Sequence, residues 1–174
     1  WHESGRAVRN RYLTNSAADS LRCARYVADS DRDAVRLSRQ GDYPEGELLV
    51  TAATDEDGRL SYTFHDKGGQ SVLIRRMNGS ETLDTYYVYD ACGLLRAVLP
   101  PKASAMLESQ TGALDMSSAT VADLTYLYRY DRRGRPVGVR RPGAQEVRYL
   151  YDDTDRPVFS QDGVQRRSGE WSYS

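Results

Sequence analysis

The sequence predicts a mostly β protein: antiparallel hairpin repeats added side by side into a twisted, curved sheet, with a short helical insertion near 101–123. Three observations predict it. First, one phrase occurs twice at 21-residue spacing: Tyr130-Asp131 with Arg135-Pro136-Val137, and Tyr151-Asp152 with Arg156-Pro157-Val158. A fixed period near 20 residues marks a repeat architecture. Second, the residues before each phrase alternate. Leu124, Tyr126, Tyr128 and Tyr130 share one side of an extended chain, with Thr125, Leu127, Arg129 and Asp131 on the other. Val147, Tyr149 and Tyr151 repeat this against Glu146 and Arg148. Period two with Tyr and Val is a strand signal. Third, each phrase continues as Asp, two free positions, then Gly or Asp. Asp accepts from nearby turn amides, and Gly occupies a left-handed position without steric cost.

From the N-terminus, residues 1–12 read as a hairpin start. Ala17–Arg25 is helical by propensity and equally compatible with strand and loop. Asp29–Asp33 and Tyr43-Pro44-Glu45-Gly46 read as turns, and Glu47–Thr51 and Leu60–Phe64 as strands. Val72–Met77 is a strand running into a turn at Asn78-Gly79. Ala103–Glu108, behind Pro100-Pro101, has the composition of a helix start. Gln110–Ser118 reads as a mobile loop, and Thr120-Val121-Ala122-Asp123 resembles a capping box. Tyr89-Asp90-Ala91-Cys92-Gly93 is a further copy of the phrase, 41 residues before Asp131, close to two periods. His65-Asp66-Lys67-Gly68-Gly69 and Trp1-His2-Glu3-Ser4-Gly5 are weaker copies, and Asp55-Glu56-Asp57-Gly58 keeps the turn without the tyrosine. On this pattern the tyrosines of each strand are expected to stack into an aromatic ladder on one side of the sheet, with Tyr89, Tyr130 and Tyr151 as ladder residues.

Composition bounds the function classes. Hydrophobic residues make up 39% of the 174, enough with the glycines for an ordinary core. A net charge of -1 supplies no global attraction to nucleic acid or an anionic membrane. No apolar run approaches the ~18 residues of a membrane-spanning helix. Of the basic residues only Lys67 and Lys102 are lysine; arginine stacks on tyrosine and pairs bidentately with carboxylates. Seven arginines within 129–148 face only Asp131 and Glu146. No phosphate-loop or RRM signature accompanies them, and nucleic acid is not the expected partner.

Catalytic and metal motifs are lacking. There is no Gly-x-Ser-x-Gly, Cys-x-x-Cys or His-Glu-x-x-His. His65 stands in a tyrosine slot and His2 in an aspartate slot. Asp29-Ser30-Asp31-Arg32-Asp33 has the oxygen spacing of half a calcium loop, but Ala34 stands in place of its glycine and Gln40 in place of its glutamate. The expectation is a non-enzyme with no cofactor and no metal.

The Tyr-Asp-x-x-Gly-Arg phrase at this spacing resembles the RHS, or YD-repeat, proteins of bacteria. The pieces that carry the likeness run in order from Asp84–Asp90 through Leu99-Pro100-Pro101, Tyr128–Arg135, Pro142-Gly143, Tyr151-Asp152 and Asp155-Arg156 to Gln161-Asp162-Gly163. Together they cover about residues 54–173. Trp1, His2, His65 and Asp155 depart from the pattern. The resemblance implies a secreted or surface-attached bacterial shell whose sheet encloses a C-terminal effector, often a toxin. The family's Asp-Pro-x-x-Gly self-cleavage motif has no counterpart. Residues 1–174 then read as a single excerpt of a longer chain, with divergent repeats over 1–83 and clearer ones over 84–174. Trp1 opens directly into a phrase, and Gly169–Ser174 reads as a strand cut before its turn.

Two roles follow. Tyr89, Asp90, Gly93, Tyr130, Asp131, Gly134, Arg135, Tyr151, Asp152 and Arg156 are architectural. Tyr126, Tyr128, Tyr149, Arg129 and Arg148 form the alternative, a surface for a glycan or host protein. The expected partners are the rest of the parent chain, the effector, and a second copy pairing through an edge strand. Cys23 and Cys92 permit one disulfide in the oxidising context the resemblance implies, with no geometry fixed by their spacing.

Overall fold

The Asp-x-x-Gly phrase folds the same way at every described copy, and the strands hang from those turns. The computed structural model describes residues 9–29, 31, 34–114, 116, 121 and 123–173. The expectations for Trp1–Gly5, His2, the core of the calcium-like loop and the capping box at 120–122 lie wholly or partly outside these residues.

In chain order the strands are β1 (Arg9–Thr14), β2 (Ala24–Ala28), β3 (Leu37–Asp42), β4 (Leu49–Thr54), β5 (Leu60–His65), β6 (Ser71–Asn78), β7 (Glu81–Tyr89) and β8 (Leu95–Leu99). Helix α1 (Pro101–Leu107) and β9 (Gly112–Leu114) follow, then β10 (Tyr126–Tyr130), β11 (Pro136–Arg140), β12 (Val147–Tyr151), β13 (Pro157–Gln161), helix α2 (Gly163–Ser168) and β14 (Ser172–Tyr173). Eleven strands form one open antiparallel sheet in the order β1-β4-β5-β6-β7-β8-β10-β11-β12-β13-β14, and β2-β3-β9 form a second. The mostly β, antiparallel reading of the sequence is therefore correct.

Antiparallel alternation sets which turns are neighbours. Those at 66–69, 90–93, 131–134 and 152–155 fall at one end of the large sheet. The turn at 55–58 lies at the other end, with the two-residue link at Gly79-Ser80 and the Arg141–Ala144 turn.

One face of the large sheet carries the core. Register places Val50, Phe64, Leu73 and Tyr86 in one cross-strand row that ends on Leu99. All are buried, as are Ala97 and Val88. The small sheet and α1 cover this inner face with Cys23, Ala24, Tyr26, Leu37, Ala103, Leu107 and Leu114. The Tyr26 and Tyr86 rings meet edge to face across the two layers at 4.9 Å. Each fully buried Phe or Leu here contributes about 1.5–3 kcal/mol. The fully buried row stops at β8: no hydrophobic side chain of β10–β14 is buried, although Leu127 of β10 still packs against the core.

Several elements differ from the sequence reading. Ala17–Leu21 is a turn and Ala24 opens β2, so the helical option over 17–25 is not taken. Arg75, described below, holds this segment by its carbonyls. The 41-residue gap between Asp90 and Asp131 is one repeat step, not two, because β8 pairs directly with β10 and the intervening chain leaves the sheet. Within that excursion α1 matches the expected helix, but Gly112–Leu114 is a strand on β3 rather than part of a loop. Helix α2 was not expected. Asp162 caps it, accepting from the Val164 and Gln165 amides, while Gln165 returns a bond to the Asp162 amide. Asp-x-x-Gln followed by Gly169 was the signal in the sequence.

Candidate functional site

Each turn is built by one carboxylate oxygen. Oδ1 of Asp55, Asp66, Asp90, Asp131 and Asp152 accepts the amides two and four residues on, all at 2.8–3.0 Å. The aspartate's own amide and carbonyl close the turn with the fourth and third residues beyond it. The third residue beyond has a positive φ in every copy: Gly58, Gly69, Gly93, Gly134 and, at 64°, Asp155. Asp155 is the one non-glycine among the described residues in that region, where glycine is free of steric penalty. Four of the hairpins carry a second irregularity, an extra residue on the return strand at Val72, Arg96, Val137 or Val158.

The tyrosine of each phrase works between repeats. The Tyr89 hydroxyl donates to the Ser71 carbonyl at 3.2 Å, Tyr130 to Leu95 at 3.0 Å, and Tyr151 to Pro136 at 2.8 Å. Each acceptor is the first residue of the neighbouring return strand and the fifth residue after the preceding Asp. His65 has no such neighbour. The hairpin before it shares its own strand β5, and its Nδ1 instead lies 3.3 Å from Ser71 Oγ.

In two copies the residue four places after the Asp reaches sideways to the next turn. Gln70 Nε2 donates to the Gly93 carbonyl. Arg135 holds Asp131 Oδ2 at 2.6 Å, extends to the Asp152 carbonyl and Asp155 Oδ1, and lies over the Tyr151 ring at 4.7 Å. Arg156 pairs within its own turn with Asp152 at 2.8 Å. The carboxyls respond. Bonds from the Arg156 amide and the Thr154 hydroxyl hold Asp152 well below the usual carboxylate range. Partial burial opposes the same effect at Asp131, but the Arg135 amide and guanidinium still lower it. All ten architectural residues expected from the sequence therefore sit in this row of turns.

Two buried arginines that the sequence reading missed fasten the layers together. Arg75 is bidentate to Asp84 at 2.8 and 2.6 Å and donates Nη1 to the carbonyls of Asp19, Ser20 and Arg22. Arg96 binds Asp90 Oδ2 at 3.2 Å, the Tyr128 carbonyl, and the carbonyls of Asp31 and Ala34. Both arginines come from the large sheet and grip the segments on either side of β2. Nothing local in the sequence distinguishes them from the exposed arginines.

The expected aromatic ladder does not form. The positions facing Tyr126 and Tyr128 are Val98 and Val139, so rings alternate with valines across the strands. Ring contacts among the described residues are Tyr26–Tyr86 and Phe159–Tyr173. The five residues of the alternative ligand surface also divide. Tyr126, Tyr128 and Tyr149 lie on the outer face, half-buried, whereas Arg129 and Arg148 lie on the inner face. Arg129 and Arg148 both bind Glu146, at 2.6 and 3.1 Å. Gly138 lies beneath this group. A Cβ there would meet Glu146 Oε1 at 2.5 Å and Arg129 Nε at 2.9 Å.

Other candidates stay apart. Cys23 is buried and Cys92 exposed, and both are free thiols. Arg36 pairs with Asp29 and Asp31 in the calcium-like segment. Among the described residues no three His, Cys, Asp or Glu side chains are placed to hold a metal ion, and no helix is long and apolar enough to cross a membrane. No protein-family model matches the chain, and no curated protein is similar to it at a significant level.

Proposed function

We propose that this chain is a non-catalytic wall segment of an RHS-type secreted or surface protein of bacteria, part of a β-shell that encloses or displays a C-terminal effector. The observation that supports this reading is the inter-repeat tether. Three tyrosines at the same position of the phrase bind the same backbone position of the preceding repeat. Residues devoted to joining one repeat to the next suit a sheet that extends by repetition. The two edge strands, β1 and β14, suit continuation into the parent chain or pairing with a second copy.

The test is to raise antibodies against the folded chain and recover its antigen from the medium, cell surface and cytoplasm of producing bacteria. The reading expects a polypeptide much larger than 19.6 kDa outside the cytoplasm. A free product of that mass confined to the cytoplasm would sink it.

A further inference from the structure

The chain holds three asparagines, and their surroundings differ. Asn15 is 2% exposed, and its side chain binds the Tyr43 and Pro44 carbonyls and the Leu48 amide. Asn10 lies within β1, paired to Ala53, and Arg11 follows it. Asn78 ends β6 opposite Glu81, and only Gly79-Ser80 joins the two strands there. Asn78, Gly79 and Ser80 are all exposed. Among the described residues the Asn78 side chain has no hydrogen bond, and the Gly79 amide makes no turn bond. Gly79 takes a φ of 63°, and no atom lies within 4 Å of where its Cβ would stand. Nothing therefore shields its nitrogen.

Two other dipeptides carry the same reactive pairing of a side-chain carbonyl with a following glycine amide, and the fold occupies both. At Asp57-Gly58 the glycine amide donates to the Asp55 carbonyl at 3.0 Å. At Asp162-Gly163 the carboxylate accepts from the Val164 and Gln165 amides, each at 2.8 Å.

We propose that Asn78 is a self-modification site, converting through a succinimide to aspartate and isoaspartate. The Gly79 nitrogen gives up its proton and attacks Cγ of Asn78. The Cγ–Nδ2 bond breaks, and Nδ2 leaves as ammonia with that proton. Water then opens the ring. Cleavage of the ring bond to Cγ leaves aspartate in a normal backbone; cleavage at the backbone carbonyl carbon leaves isoaspartate, with the chain routed through Cβ and one methylene longer. Water is the only co-reactant. An extended backbone holds Cγ away from the following nitrogen, so the reaction proceeds when the hairpin end frays, a local opening of low free energy. Each event adds a negative charge near Glu81, and the isoaspartate form lengthens the tight turn and ends the Asn78–Glu81 pairing. The β6–β7 hairpin thus records the age of the molecule. This site goes beyond the wall reading and stands whether or not that reading holds.

The experiment ages the purified chain in warm, mildly alkaline heavy-oxygen water and maps the tryptic peptide Met77–Arg96 by fragmentation that separates aspartate from isoaspartate. Each event should fix one heavy oxygen at position 78. Isoaspartate should also accept a methyl group from S-adenosylmethionine with purified isoaspartyl methyltransferase. Amide exchange should rise at the β6–β7 turn in the aged chain. Asn78→Gln should abolish the signal. Gly79→Asp, whose side chain tolerates the left-handed backbone and crowds the attacking amide, should slow it about tenfold or more. Native amide exchange outside 76–83 checks that both variants fold. The proposal is overturned if Asn78 stays intact in the folded chain after the urea-unfolded chain has fully converted. Conversion of Gly79→Asp at the native rate would overturn it too, as would equal conversion at Asn10, Asp57 or Asp162.

Discussion

Arg96, on the return strand β8, and Asp90, which opens the turn before it, form an ion pair of 3.2 Å whose side chains are 2% and 3% exposed. The same carboxylate does two jobs. Oδ1 shapes the repeat turn through the Cys92 and Leu94 amides, while Oδ2 holds the guanidinium that grips the covering segment at Asp31 and Ala34. Asp90 thus couples the repeat phrase to the docking of the second layer. Asp90→Ala should destabilise the chain by about 3–5 kcal/mol, because it strands a buried charge. Asp152→Ala, at the exposed copy, should cost much less. Urea unfolding of the two variants checks the difference; equal losses would refute the double role.

The tethers predict a graded, small effect. Tyr89→Phe, Tyr130→Phe and Tyr151→Phe each remove one hydroxyl and leave the ring in place. Each should cost about 0.5–1.5 kcal/mol by urea midpoint. Amide exchange should rise at the strand pair that the lost bond joined, β6–β7, β8–β10 or β11–β12 respectively. Uniform exchange changes across the whole sheet would contradict a local tether.

Turn chemistry gives a paired prediction. Gly134→Ala forces a side chain into a left-handed position and should cost about 1–2 kcal/mol. Asp155→Gly relieves the same strain but loses contacts from Arg133 and Arg135 to Asp155 Oδ1. Those exposed pairs weaken in salt, so Asp155→Gly should be more stable than the native chain near ~1 M NaCl, measured by thermal unfolding.

Acid should loosen the row of turns. Unfolded, Asp131 and Asp152 titrate near 3.8 and Glu146 near 4.5; folded, all three are lower. In that window the unfolded chain binds more protons, so stability present above it falls as pH drops through it. The urea midpoint should decline as pH falls below about 4.5, and less steeply in Asp131→Asn/Asp152→Asn. A midpoint that rises on acidification would be incompatible with these carboxylates acting as charged acceptors.

The two thiols should separate in reactivity. Burial pushes the Cys23 thiol well above its ordinary range, whereas Cys92 is exposed in its turn. A thiol-specific reagent should label Cys92 in the native chain and reach Cys23 only on unfolding. Native labelling of Cys23 would show that the small sheet opens readily.

What the sequence determined by itself was local. Alternation announced the strands around each phrase, and Asp with Gly announced turns whose oxygen acceptor and positive φ come from the residues themselves, as Asp131 and Gly134 show. Only the tertiary structure decided which strands became neighbours. It set β1 beside β4 and β8 beside β10, and sent β2, β3 and β9 into a second layer. It also chose the buried face: once Phe64, Leu73, Tyr86 and Leu99 collapsed against the small sheet, Tyr126, Tyr128 and Tyr149 were left on the outer side, and Arg75 and Arg96 were buried while similar arginines stayed exposed. Such choices depend on which distant apolar surfaces meet, and no window of neighbouring residues contains that information.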